Sequence, residues 1–83
     1  MEQLKQAIAL IDQILEDRTV PKNIREALDK ARKDLMNQDL EMSVRVDRAT
    51  QLLDEISDDS NMPVYTRTQV WNIVTLLESL LKE

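Results

Sequence analysis

Residues 17–27 read DRTVPKNIREA and residues 59–69 read DSNMPVYTRTQ. In each stretch an Asp is followed four positions on by Pro and four positions later by Arg, and the copies start at 17 and 59, an offset of 42. Proline has no backbone N–H and holds φ near −65°, so it suits the first turn of a helix and disrupts a helix interior. The Asp, Ser, Thr and Asn residues ahead of it are turn and capping types whose side chains accept from exposed N–H groups. Each stretch therefore reads as the corner of a helical hairpin, with Pro21 and Pro63 marking where its second helix begins.

The offset extends well beyond the corners. Ala7/Ala49, Leu10/Leu52, Asp12/Asp54, Ile14/Ile56, Asp17/Asp59, Pro21/Pro63, Arg25/Arg67 and Leu35/Leu77 are identical. Unrelated stretches agree at about one position in fifteen, so this many identities marks an internal duplication. The apolar residues on both sides of the corners have helical spacing. Leu4, Ala7, Ile8, Ile11, Ile14 and Leu15 form one stripe, Ile24, Ala27, Leu28, Ala31 and Leu35 a second, and Val46, Ala49, Leu52, Leu53 and Ile56 a third. A fourth helix carries Val70, Trp71, Ile73, Val74, Leu76, Leu77, Leu80 and Leu81, a wider apolar face than one bundle core needs.

These patterns predict an all-α, four-helix up-and-down bundle: one domain over residues 1–83, built from a hairpin at 1–38 and a hairpin at 39–83. The helices are expected at about residues 2–17, 21–36, 40–57 and 64–82. Asn37 and Asp39 supply the middle break, with Asp39 as a cap for the third helix, and Thr66 with Gln69 has capping-box spacing. The chain contains no Gly, so Asn is the expected residue wherever a helix closes in the left-handed region. Asp17 with Arg25, and Asp59 with Arg67, are expected to meet across their corners as charge-assisted pairs; arginines turned outward to hold an anion are the competing reading.

Composition removes most chemistry. With neither Cys nor His among 83 residues, disulfides, thiolate ligands and imidazole bases are all absent. The longest apolar run, Ala7 to Ile11, is far too short to span a membrane. A net charge of −5 opposes non-specific binding to nucleic acid or anionic lipid. A cytoplasmic location is the expectation.

The densest carboxylates are Asp54, Glu55, Asp58 and Asp59, which lack a calcium-loop Gly and read as a solvated helix end. Lys22, Arg25, Lys30, Arg32 and Lys33 make the second helix locally basic, without the aromatic residues that stack on RNA bases. Trp71 reads as a core residue or an interface anchor, and Met36, Met42 and Met62 read as adaptable packing.

The corner residues Asp17, Val20, Pro21, Ile24, Arg25 and Ala27 resemble the corner of a HEAT-type repeat, with Thr66 and Gln69 departing from that pattern in the second copy. Over nearly the whole chain, ILEDRTVPKNIREA, LLDEISDDSNMP and YTRTQVWNIVTLLE resemble an archaeal family known only as uncharacterised protein family 0147. That resemblance implies a four-helix, bromodomain-like bundle and supplies no catalytic residue. The chain is therefore expected to be a non-enzymatic protein–protein interaction module without cofactor or metal. Its corners are expected to be held by Asp17, Pro21, Arg25, Asp59, Pro63 and Arg67, and the candidate interface for a homodimer is Trp71, Leu76, Leu80 and Leu81 of the fourth helix. The alternative is an accessory protein of an RNA particle, using the basic face of the second helix.

Overall fold

The structure, a computed structural model, describes residues 2–82. Four helices follow one another: α1 (Glu2–Leu15), α2 (Lys22–Met36), α3 (Met42–Ser57) and α4 (Val64–Leu81). The all-α bundle expected from the periodicity is the fold. Two boundaries differ from expectation by two residues, because α1 ends at Leu15 with Asp17 in the first turn, and α3 begins at Met42; the start of α2 and the end of α4 differ by one.

Each helix buries one stripe. Ala7, Ile11 and Ile14 of α1 meet Ile24, Leu28, Ala31 and Leu35 of α2, Val46, Ala49, Leu53 and Ile56 of α3, and Val70, Ile73, Leu77 and Leu80 of α4 in a single core. Full burial of one such side chain contributes about 1.5–3 kcal/mol before conformational entropy is counted. The helices pack as a ring: α1 lies on α2 and α4, α3 lies on α2 and α4, and among the described residues the backbones of neither diagonal pair come close together. Stacked HEAT-type hairpins would instead place first helix on first helix, so the corner resemblance does not extend to the assembly. A radius of gyration of 11.8 Å equals the value of about 12 Å for a compact chain of this length. Packing between α2 and α3, and between α1 and α4, is more extensive than within either of the hairpins α1–α2 and α3–α4.

All three turns are built alike. At Asp17, Asn37 and Asp59 the backbone N–H bonds to the carbonyl three residues back, and the carbonyl accepts from the N–H three residues on. Each of these side chains also accepts from the N–H two residues on, at 2.9 Å for Thr19, 3.0 Å for Asp39 and 2.8 Å for Asn61. An Asx turn of this kind satisfies donors locally and needs no left-handed residue. Among the described residues none has positive φ, so the expected left-handed Asn is not used. Asp39 does not cap α3, since its own N–H donates to Asn37 and Glu41 holds the N-cap position without a side-chain bond. Thr66 likewise sits inside α4 and not at a capping box.

The middle turn has no proline to announce it. Glu41 has φ −64° and ψ 151°, against −55° and 150° at Pro21 and −57° and 146° at Pro63. Its backbone is already in the proline conformation, within a turn whose two siblings do without an N–H there. Glu41→Pro should therefore raise stability by about 0.4–1 kcal/mol through the unfolded state. A urea midpoint below that of the unaltered chain would show that the middle turn depends on the Glu41 N–H.

Candidate functional site

The corner charges do not pair with one another. Asp17 accepts from the Thr19 backbone and, at 2.7 Å, from its hydroxyl; Asp59 accepts from Asn61 and, at 2.8 Å, from the amide of Asn23 near the start of α2. The arginines instead close the turns by donating to carbonyls. Arg25 Nε reaches Val20 at 3.1 Å, and Arg45 Nε reaches Leu40 at 2.8 Å. Arg67 donates to the carbonyls of Ser57 and, at 3.1 Å, of Asp59. The expected Asp–Arg bridges are replaced by two separate devices, a carboxylate that orders its own turn and a guanidinium that donates to carbonyls of that turn. Arg45 escapes the sequence pattern because its turn lies outside the 42-residue frame.

Hydrogen bonds from Thr19 hold the Asp17 carboxyl below its usual range, and bonds from Asn61 and then Asn23 do the same at Asp59, with Arg67 adding a smaller electrostatic contribution. A depressed folded-state pKa means that the unfolded chain binds protons more readily, so this stability is present above the unfolded value, near 3.8, and is lost as pH falls through the folded values. Thermal melts should decline below about pH 4. Asp17→Asn with Asp59→Asn should flatten that decline while leaving the neutral-pH melt nearly unchanged, because Asn already fills this role at position 37. An undiminished acid decline in the double variant would remove these two groups as its source.

The remaining charges are dispersed. Among the described residues no three carboxylates are grouped to hold a metal ion, and Asp54, Glu55 and Asp58 are exposed or partly exposed at the end of α3. On α2, Lys22 lies 3.9 Å from Glu26, Lys33 lies 3.1 Å from Asp29, and Arg32 Nε lies 2.7 Å from Asp12 of α1. With Arg25 turned onto Val20, the basic face is largely neutralised by its own neighbours. Lys30 borders a depression between α2 and α3 together with Asp34, Arg48 and Glu55, a mixed-charge lining.

The apolar surplus of α4 is divided differently from expectation. Leu80 belongs to the core at 6 % exposure and Leu76 packs against the core, so neither lies on an open face. Trp71, for which the core was one reading, is 74 % exposed, and Val64, Tyr65 and Leu81 are exposed with it. Beside Trp71 a groove of about 410 Å³ runs between α3 and α4, floored by Leu53, Val70 and Val74 and edged by Asp54, Arg67 and Glu78. Met62 is buried in the last turn and Met42 packs against the core, whereas Met36 is exposed.

A small all-α bundle with structural corners and one open aromatic face is the class these features define. The profile of an uncharacterised protein family (UPF0147) matches residues 1–80. The chain belongs to that family. It is 48 % identical over 77 residues to a UPF0147 protein of Methanocaldococcus jannaschii, covering 93 % of this chain and 83 % of the relative. A UPF0147 protein of Metallosphaera sedula is 46 % identical over 77 residues, covering 93 % and 86 %. Among solved structures, a crystal structure of a UPF0147 protein from Thermoplasma acidophilum superposes with a TM-score of 0.91 at 29 % identity, covering 95 % of this chain and 93 % of that one. A crystal structure of a protein of unknown function superposes with a TM-score of 0.89 at 49 % identity, covering 93 % and 88 %. No helix of the described residues is long and apolar enough to cross a membrane.

Proposed function

We propose that the chain is a non-enzymatic, cytoplasmic protein-interaction module that binds through the Trp71 face of α4. The observation that carries this reading is Trp71 itself, 74 % exposed on a regular helix at the lip of an apolar groove. An exposed tryptophan costs hydration free energy, contributes nothing to the core, and is the side chain that most often anchors an interface. Val64 and Leu81 are exposed on the same helix.

The RNA reading receives no comparable support, because four of the five cations named on α2 face Glu26, Asp29, Asp12 and the Val20 carbonyl, and the fifth, Lys30, borders a depression of mixed charge. The test compares recovery of partners from nuclease-treated source-cell extract by the unaltered chain and by Trp71→Ala. A stoichiometric protein partner, recovered despite nuclease and lost with Trp71→Ala, is the expected result. Recovery that depends on nucleic acid, or that is indifferent to Trp71, overturns the reading.

A further inference from the structure

Along α4, Val64, Arg67, Trp71, Val74, Glu78 and Leu81 recur at alternating intervals of three and four residues, the spacing of a coiled-coil seam. This line is separate from the stripe Val70, Ile73, Leu77 and Leu80 that faces the core. Four of its members, Arg67, Trp71, Val74 and Glu78, line the groove between α3 and α4, and the outer two, Val64 and Leu81, are 81 % and 52 % exposed. Charged residues at the second and fifth places hide the repeat from any search for purely apolar spacing.

The order of residue types along the seam reads apolar, basic, apolar, apolar, acidic, apolar. Reversed, it reads the same with the two charges exchanged, so the seam is complementary to an antiparallel copy of itself. In that register Val64 meets Leu81 of the second copy, Arg67 meets Glu78, and Trp71 meets Val74, each contact being repeated by the two-fold axis. Antiparallel coiled helices face their seam positions in this alternating manner, and a two-fold pair closes without leaving a further surface open. A parallel pairing would set Arg67 against Arg67 and Glu78 against Glu78. The flanking Thr68 and Thr75 of α4 carry no charge, and the charge that edges the groove outside the seam is Asp54 of α3. Arg67 uses two of its five N–H groups on the turn carbonyls, which leaves donors for a carboxylate of the second copy.

We infer that the occupant of the Trp71 face is a second copy of this chain, bound as an antiparallel α4–α4 pair in the register that places Trp71 on Val74, Arg67 on Glu78 and Val64 on Leu81. The inference rests on the reading of α4 as the interaction face and supplies its partner. The chain has no cysteine of its own, so single Val64→Cys and Leu81→Cys variants report geometry directly. Within one chain these positions stand 17 residues apart on a straight helix, about 26 Å, and cannot bridge.

Oxidation of an equimolar mixture should give a covalent dimer joining one Val64→Cys chain to one Leu81→Cys chain, while each variant oxidised alone stays largely unlinked. Glu78→Arg, which opposes Arg67 in this register, should weaken the dimer about tenfold or more in sedimentation equilibrium and leave the far-ultraviolet circular dichroism of the monomer unchanged. Bridging by Val64→Cys alone marks a parallel pair and overturns the register. A dimer that sediments as such yet fails to bridge in the mixture, or a monomer at every concentration, also overturns the inference. The broader reading of α4 then stands or falls separately, on whether a different protein is captured in a Trp71-dependent way.

Discussion

Leu53→Ala is expected to lower the stability of the bundle by about 3–4 kcal/mol, whereas Leu52→Ala should cost about half as much or less. Leu53 is fully buried on α3, and its side chain also floors the groove beside Trp71. Truncation removes its transfer free energy and leaves a cavity between helices whose backbones are already fixed by the ring of contacts. Leu52, one residue before it, is only partly buried, so the site opens towards solvent and loses less. A domain of this length has a total stability of about 4–12 kcal/mol, which makes the Leu53 loss a large share of the whole. The check is urea denaturation of both variants, with m-values compared to confirm that the folded states remain comparable. Equal losses at the two positions would mean that the face of α3 turned to the core is wrongly assigned.

That pair of leucines also shows how far the fold is legible in the sequence. Helical spacing places Leu52 and Leu53 on one apolar stripe, and correctly so, because a helix face more than 100° wide admits both. Spacing cannot say which edge of the stripe a neighbouring helix will cover, and that is settled only by the packing of α3 against α2 and α4. The same limit explains α4. Its eight apolar residues announce two faces, yet the division expected from spacing turns Leu80 outward when it is buried and leaves Trp71 between core and surface when it is exposed. The outward seam is concealed because Arg67 and Glu78 belong to it, and a pattern of apolar residues alone passes over them.

The turns are legible where proline punctuates them and obscure where it does not. Pro21 and Pro63 reveal the first and third corners, while Glu41 reaches nearly the same dihedral angles with no residue-type signal. The chain thus has three equivalent turns, Asp17-Val20-Arg25, Asn37-Leu40-Arg45 and Asp59-Met62-Arg67, of which the 42-residue repeat displays two. One position shows the repeat drifting. Ile24 of the first copy is fully buried, and its counterpart Thr66 is buried with a hydroxyl that has no hydrogen-bond partner. An unpaired buried hydroxyl is a cost that the isoleucine does not carry.

Arg67→Ala is the second large loss to expect, about 2–3 kcal/mol, and its size follows from what the guanidinium satisfies. The carbonyl of Ser57 at the end of α3 has no intrahelical donor, and Arg67 reaches back from the start of α4 to supply it, while adding a second donor to the Asp59 carbonyl, which also accepts from the Met62 N–H. Arg25 and Arg45 each bond a single turn carbonyl through Nε, so their alanine variants should lose about half as much. Arg67→Lys should recover little, because one ammonium on a flexible stem cannot hold two carbonyls in the planar geometry of the guanidinium. Since Arg67 also belongs to the α4 seam, the series is best measured in a Trp71→Ala background, where pairing between copies does not add to the unfolding free energy. A full recovery by lysine, or equal losses at all three arginines, would show that charge near the turn and not the two-carbonyl clamp holds this corner. Because the Asp17 carboxylate bonds Thr19 and not Arg25, Asp17→Asn and Arg25→Ala should combine nearly additively. Strong coupling between them would restore the direct ion pair that the sequence suggests.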